Sequence, residues 1–551
     1  MTATHRTRRW IDDWRPEDAE FWEQTGAKVA RRNLIWSIFA EHLGFSIWLL
    51  WSVTTPLLIT QNGSFSFTFS QLFLLTSLPN LIGSFLRIPY TFAVPKFGGR
   101  NWTIISALLL LIPTVAFMIA VTSSGTPFWV FAVISCLAGL GGGNFASSMA
   151  NINSFYPADK KGFALGLNAA GGNLGVATIQ FFLPAVVGSA AIFGLLTQTK
   201  VHGKPILHLE YAGWIYIVLC IAAALGAYFF MDNLVVAKAS VKEQVEIIKS
   251  KHVWVMSFLY IGTFGSFIGY SAAMPLLIKL NFASQPLLDK NPIGIVPFGV
   301  NFAFYAFIGG LVGSLTRPLG GLLADKIGGA KVTFASFIGI IAGTAGILWS
   351  LNSLTKVPGL DKPSLLALKG LVGAAKKAGT PLPKWPDILG TPAAAGWHTK
   401  TGLPVGDKTV AAINAAVHHN QHIFIWFLLA FVFLFAMAGI GNGSTYKMIP
   451  SLFRRDAELA TTPNTPDRAA AVLAAGKKAS AALGIIGAIG AFGGFLIPLL
   501  FGAPWVANPT DATKQAFWVF TGFYVLCAIV TAAVYLRPKP AHVLELAEGH
   551  I

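Results

Sequence analysis

Long apolar runs, separated by short polar stretches, dominate this chain. Each run reaches the roughly 20 residues that a helix needs to cross a hydrocarbon core of about 30 Å. They recur at 34–57, 70–95, 102–123, 127–151, 162–187, 211–232, 252–280, 297–324, 331–352, 422–448, 478–503 and 515–536. The pattern predicts an all-α membrane protein of twelve spanning helices. It divides the chain into a polar N-terminal segment (1–33), a six-helix half (34–232), a linker (233–251), a second six-helix half (252–537) and a short tail (538–551). A long interruption at 353–421, rich in Ala, Gly, Pro and Lys, reads as a loop ordered only in part. Trp10, Trp14, Phe21 and Trp22 stand among charges near the start. That composition suits an interfacial helix and a solvated tail equally.

The two halves echo each other. Arg87-Ile-Pro-Tyr leads to Lys96-Phe-Gly98-Gly99, and Arg317-Pro-Leu-Gly leads to Lys326-Ile-Gly328-Gly329, with arginine, lysine and glycine pair at the same offsets. Ala164-Leu-Gly166 is matched by Ala482-Leu-Gly484, each opening a glycine-rich helix that reaches a proline, Pro184 or Pro498. Gly143-Asn144 is matched by Gly441-Asn442. Helices two, four and five therefore correspond to eight, ten and eleven. A duplicated six-helix unit implies two pseudo-symmetric halves with a site between them.

Composition supports the membrane reading. The chain is 54% hydrophobic and 11% charged, where soluble domains carry about 25% charged residues. The net charge of +17 would suggest nucleic acid as a partner in a soluble protein. Here the bases sit in short loops: Arg31 and Arg32, Lys96 and Arg100, Lys160 and Lys161, Lys238 to Lys251, Lys326 and Lys331, Arg454 and Arg455, Arg537. Loops on the other side carry few. Basic loops stay in the cytoplasm, so both termini are expected there, in a multi-pass protein of the cell inner (plasma) membrane with no nucleic-acid partner. Cys136, Cys220 and Cys527 show no paired spacing, and no disulfide, metal or other cofactor follows from them. The spans hold no nucleophile or metal cluster of the kind an enzyme would need.

Arg87 and Arg317 each precede a loop lysine by nine residues. At about 1.5 Å per residue they lie some 13 Å deep, near the middle of the membrane. A charge there costs several kcal/mol and marks function by default. Acids that could pair with them are scarce: Glu41 lies in helix one, and Asp325 at a loop end. Two unpaired guanidiniums facing one cavity repel, and an anion between them removes the penalty. The planar guanidinium fork suits flat oxyanions. Nitrate, nitrite, bicarbonate and carboxylates are all flat, whereas phosphate is tetrahedral.

Helices four, five, ten and eleven carry runs of glycine, which let helices approach closely in lipid and leave smooth faces on which halves could rock. Asn144, Asn168 and Asn442 are expected to bond between helices, and Asn173 to face a cavity. Tyr260 and Phe264 stand one turn apart in helix seven, and Phe145 follows the glycines of helix four. These rings could wall off a small anion or simply fill the core.

The sequence resembles the NarK-type nitrate/nitrite porter family of the major facilitator superfamily, from about residue 33 to 537. The resemblance is carried by Gly143-Asn-Phe-Ala-Ser-Ser-Met149, Gly166-Leu-Asn-Ala-Ala-Gly-Gly-Asn-Leu-Gly175, Leu259-Tyr-Ile-Gly-Thr-Phe-Gly-Ser-Phe-Ile-Gly269 and Gly487-Ala-Ile-Gly-Ala-Phe-Gly-Gly-Phe-Leu-Ile-Pro498. It implies a major facilitator fold and nitrate and nitrite as substrates, clamped by Arg87 and Arg317. Tyr260 and Asn173 would add hydrogen bonds, and Phe145 and Phe264 would flank the ion. Two features depart from the family pattern: Glu41-His42 in helix one and the long loop 353–421.

Alternating access follows as the expected mechanism. If only the loaded carrier reorients, nitrate enters as nitrite leaves. The alternative is proton-coupled nitrate symport using Glu41 as the titrating group. A monomer in the lipid bilayer is expected, and the sequence does not separate assimilatory from respiratory use of the anion.

Overall fold

The computed structural model describes residues 6–537 except 8, 61–64, 66, 124, 189–199, 202–203, 206, 236–245, 287–294, 298–299, 356–359, 379–393, 399–401, 403, 463–464 and 507. The expected tail 538–551 and most of the linker lie outside the described residues. Twelve described helices are long and apolar enough to cross a membrane: α1 Ala19–Leu58, α2 Phe69–Thr91, α3 Gly99–Thr122, α4 Phe128–Phe155, α5 Lys160–Val187, α6 Glu210–Phe230, α7 Lys251–Phe282, α8 Phe302–Ile327, α9 Gly329–Asn352, α10 Asp407–Leu459, α11 Pro466–Phe501 and α12 Pro509–Tyr535.

Several helices outrun their apolar stretches. α1 starts at Ala19 rather than near Leu34, and α10 extends on both sides of 422–448. The apolar run reports the part facing lipid, while the helix itself continues until a cap stops it. Thr68 and Gln71 form a capping box at the start of α2. Asp18, Thr465 and Asn508 accept backbone N–H bonds at the starts of α1, α11 and α12. These caps satisfy amide groups that the first helical turn leaves open.

The repeated glycine pairs mark the same backbone event twice. Gly98 and Gly328 have φ of 86° and 95°, a conformation that costs glycine nothing and other residues much. Gly99 abuts Asn151 of α4, and Gly329 abuts Met448 of α10, with no room for a Cβ. Each pair turns the chain sharply and lets the next helix lie against its neighbour.

The halves meet along α2 with α11, α5 with α8, and the end of α1 with α7. Far from the basic loops, Gln180 of α5 donates to the Ser271 carbonyl of α7 at 2.6 Å and to Ser52 Oγ of α1 at 3.1 Å. Phe181 packs edge-on against Phe307 of α8 at 4.8 Å, and Phe73 lies 6.0 Å from Phe501. A shell of aromatic and amide contacts thus joins the halves on the side opposite Lys96 and Lys326.

One sequence expectation needs correction. The N-terminal segment is neither an interfacial helix nor a loose tail. Trp10–Ile11 pairs antiparallel with Arg6–Thr7 and parallel with Asn233–Leu234. Trp14 packs edge-on against Phe21 and Phe155, at 5.4 Å from each ring. Asp232 is fully buried and paired with Arg32. Its backbone N–H donates to Asn33 Oδ1 at 2.9 Å. Asp232 lies 199 residues from Asn33 and 200 from Arg32, out of reach of local pattern. The described residues of the segment 353–421 include regular structure. The segment contains a helix, Lys362–Lys377, buries Leu360, Leu368 and Trp397, and is stapled by reciprocal 2.9 Å bonds between Thr355 and Asn420.

Replacing Asp232 by Ala should undock the N-terminal segment and cost about 1–3 kcal/mol, the worth of hydrogen bonds to a charged group. Thermal unfolding of the purified protein in detergent reads this as a lower midpoint. An unchanged midpoint would show that the Asp232 contacts do not hold the segment.

Candidate functional site

The site forms where five spans converge. α2 brings Arg87, α4 Phe145, α7 Tyr260 and Phe264, α8 Arg317, and α10 Tyr446. Arg87 is fully buried and Arg317 is 6% exposed. The Arg87 guanidinium carbon lies 4.8 Å from the Phe145 ring centre and 4.7 Å from that of Phe264. That of Arg317 lies 5.4 Å from the same Phe145 ring and 5.2 Å from Tyr446. One phenyl ring therefore serves both cations, each from a different half. Phe145 and Phe264 stack at 6.1 Å, and Tyr260 stacks on Phe264 at 5.3 Å.

The helix that carries Tyr260 and Phe264 is locally underwound and widened. Ile261–Gly265 forms a π-type turn directly after Tyr260, the kind of widened turn that recurs at functional sites. Glycines then make room for the aromatic groups. At Gly490 a Cβ would run into Tyr260, and at Gly142 it would sit 2.6 Å from Trp48. Trp48 in turn lies 5.3 Å beneath Arg87 and donates its indole N–H to the Pro79 carbonyl at 2.8 Å. Two of the glycines in the α4 and α11 runs, Gly142 and Gly490, thus do more than bring helices together: they seat rings beside the guanidiniums.

The hydrogen-bond count is incomplete in a specific way. Arg87 Nε donates to the Gly142 carbonyl at 3.1 Å, and Nη1 to the Gly487 carbonyl at 3.0 Å. Its Nη2 has no partner, nor do Nη1 and Nη2 of Arg317, nor the Tyr260 hydroxyl. Among the described residues no carboxylate closes an ion pair with either arginine. Cation–π contact offsets about 0.5–2 kcal/mol of such a burial cost, well short of an uncompensated buried charge. Unmet donors from both halves, walled by apolar rings, can accept a small planar anion.

Asn173 is fully buried with both amide atoms unpartnered, as a cavity-facing residue would be. Asn168 bonds between helices as expected. Its amide donates to Glu41 Oε2 at 2.7 Å and to Ser148 Oγ at 2.6 Å, and Ser148 lies 2.9 Å from Ser37. Asn144 and Asn442 depart from expectation: neither makes a side-chain hydrogen bond. Glu41 is buried with Oε1 unpartnered. It is not paired with His42, whose Nδ1 donates to the Gly171 carbonyl at 3.0 Å, nor with Arg32, which Asp232 holds. It lies within electrostatic reach of both site arginines.

Residues 43–375 match the model of the Major Facilitator Superfamily. The chain belongs to the major facilitator superfamily. Within this superfamily its relatives place it in the NarK-type nitrate/nitrite porter family. It is 36% identical to the nitrate/nitrite transporter NarU of Salmonella typhimurium, over 96% of this chain and 97% of that one. It is 35% identical to NarU of Escherichia coli, over 96% of each. It is 39% identical to the probable nitrate/nitrite antiporter NarK2 of Thermus thermophilus, over 60% of this chain and 72% of that one. Among solved major facilitator structures, a D-xylose–proton symporter superposes with a TM-score of 0.55 at 14% identity, covering 93% of this chain and 98% of the other. The partially occluded, inward-open xylose transporter XylE of E. coli gives 0.53 at 13%, covering 93% and 100%. These two likenesses show the shared fold.

Tyr446 and Trp48 are site residues that the sequence reading missed. Tyr446 follows Asn442 by one helical turn, so the matched Gly-Asn pair was a signal for it. Trp48 had no signal beyond being an aromatic residue in a span.

Gly490→Ala should displace Tyr260 and weaken stabilisation by planar monovalent anions by about tenfold or more in affinity, the worth of one charge-assisted hydrogen bond. Gly487→Ala, whose added carbon would meet only Arg87 Nη1 at 3.8 Å, should be tolerated. Anion titration monitored by thermal shift separates the two. Equal behaviour would mean that Tyr260 has no part in the site.

Proposed function

We propose that the protein transports nitrate and nitrite by alternating access, most simply as nitrate-in/nitrite-out antiport, with the anion clamped between Arg87 and Arg317. The observation that carries this reading is the set of unmet guanidinium nitrogens gathered around Phe145. Its relatives, nitrate/nitrite transporters, support nitrate and nitrite as the anions. Tyr260 and Asn173 bring further unpartnered polar atoms, while Phe145 and Phe264 limit the width of the slot. The chain is a transporter and not an enzyme.

The coupling follows from where the groups are anchored. Arg87 stands on the first half and donates to Gly487 on the second. Arg317 stands on the second half and lies over Phe145 on the first. An anion drawing both guanidiniums inward pulls on contacts that already cross between halves. Without it, two positive charges face each other and resist closure. Exchange results when only the loaded carrier crosses. The basic loops support placement in the inner membrane with both termini cytoplasmic.

Glu41 favours a second reading, proton-coupled nitrate symport. It is a buried carboxyl with a free oxygen, linked through Asn168 and Ser148 to α4 and α5. Proteoliposomes decide between the readings. Antiport predicts nitrate uptake that is accelerated by internal nitrite and indifferent to a pH gradient. Uptake into empty vesicles that needs an inward proton gradient, and is lost in Glu41→Gln, would replace antiport by symport. Arg87→Lys keeps the charge but loses the fork, and should weaken nitrate binding by about 10- to 100-fold. Undiminished transport in that variant would place the substrate elsewhere.

A further inference from the structure

A second group of unmatched cations lies on α1 near the basic loops, away from the transport site. Lys28, Arg31, Arg32, Ile35 and Trp36 fall at helical offsets of three and four and form one stripe. They line a cavity of about 350 Å³. Lys28 and Arg31 are exposed, and neither closes an ion pair among the described residues. Arg32 gives one nitrogen to Asp232, while its buried Nε has no partner. Asp232 therefore offsets one of the three cations and leaves two.

Polarity reverses within a turn. Ile35 is 53% exposed. Trp36 stacks flat on Phe230 of α6, with ring centres 5.4 Å apart and planes at 2°. Gly226 admits the indole, because a Cβ there would occupy the ring's place. Phe230 is itself 47% exposed. A cationic rim thus sits directly beside an exposed apolar face, where Trp36 of α1 meets Phe230 of α6. A soluble anion has no use for the apolar face, and an apolar molecule has none for the rim.

We infer that this α1 pocket and the apolar face beside it bind an anionic phospholipid. Its phosphate lies against Lys28, Arg31 and Arg32, and an acyl chain runs along Ile35, Trp36 and Phe230. The match is one of charge and shape: basic pockets at the membrane surface attract anionic headgroups. Because Arg32 also holds Asp232, the lipid ties the start of α1, the end of α6 and the docked N-terminal segment into one contact.

The test uses the full chain purified in detergent, offered equal amounts of phosphatidylglycerol and phosphatidylcholine, and read by native mass spectrometry. The expected result is at least about tenfold more phosphatidylglycerol adduct, falling to parity in the double variant Lys28→Gln, Arg31→Gln. The charge-keeping pair Lys28→Arg, Arg31→Lys should retain the preference, which separates loss of charge from misfolding. A second arm measures thermal stabilisation by phosphatidylglycerol and by inorganic phosphate at matched ionic strength. Absence of preference in the natural chain, or full preference in the glutamine variant, overturns the inference. So does stabilisation by phosphate alone with no increment from the lipid, which would make the ligand a free ion.

Discussion

Two guanidinium groups share one phenyl ring deep inside the helix bundle, with no carboxylate pairing either of them among the described residues. Much of the surrounding architecture serves to make that arrangement tolerable. The carbonyls of Gly142 and Gly487 take two of the Arg87 donors, and aromatic faces spread the remaining charge. The arrangement still leaves guanidinium donors unmet on both halves. A salt bridge in the same place would have satisfied the helices and closed the site.

The glycines take on a different meaning in this light. Small residues in membrane helices usually serve close packing, and Gly265, where a Cβ would sit 2.6 Å from the Gly490 carbonyl, is of that kind. Gly490 and Gly142 also hollow out space for Tyr260 and Trp48. The bundle is thin where the site needs bulk, and a conservative addition of one methyl group there reaches the guanidiniums through an intervening ring.

Much of this was legible in the sequence. Twelve spans followed from apolar length, and the internal repeat followed from Arg87 and Arg317 at equal distances from matched glycine pairs. The arginines themselves were legible because charge deep in an apolar run is costly. What stayed hidden has a common cause. Tyr446, Trp48 and the π-type turn at Ile261–Gly265 are ordinary in composition and acquire their roles only from what they face. Asn144 and Asn442 looked alike to Asn168, yet only Asn168 meets a partner, since an amide's bonding depends on the opposite helix. The docking of Trp10–Ile11 onto Asn233–Leu234 joins stretches that no local pattern connects.

That parallel pairing also constrains the order in which the protein can assemble. The segment 6–11 is made before all six helices of the first half, and its partner strand only after them. Until then the segment has nothing to pair with, and Asp232 is not yet there to receive Arg32. Its docking therefore requires that the whole first half has been synthesised.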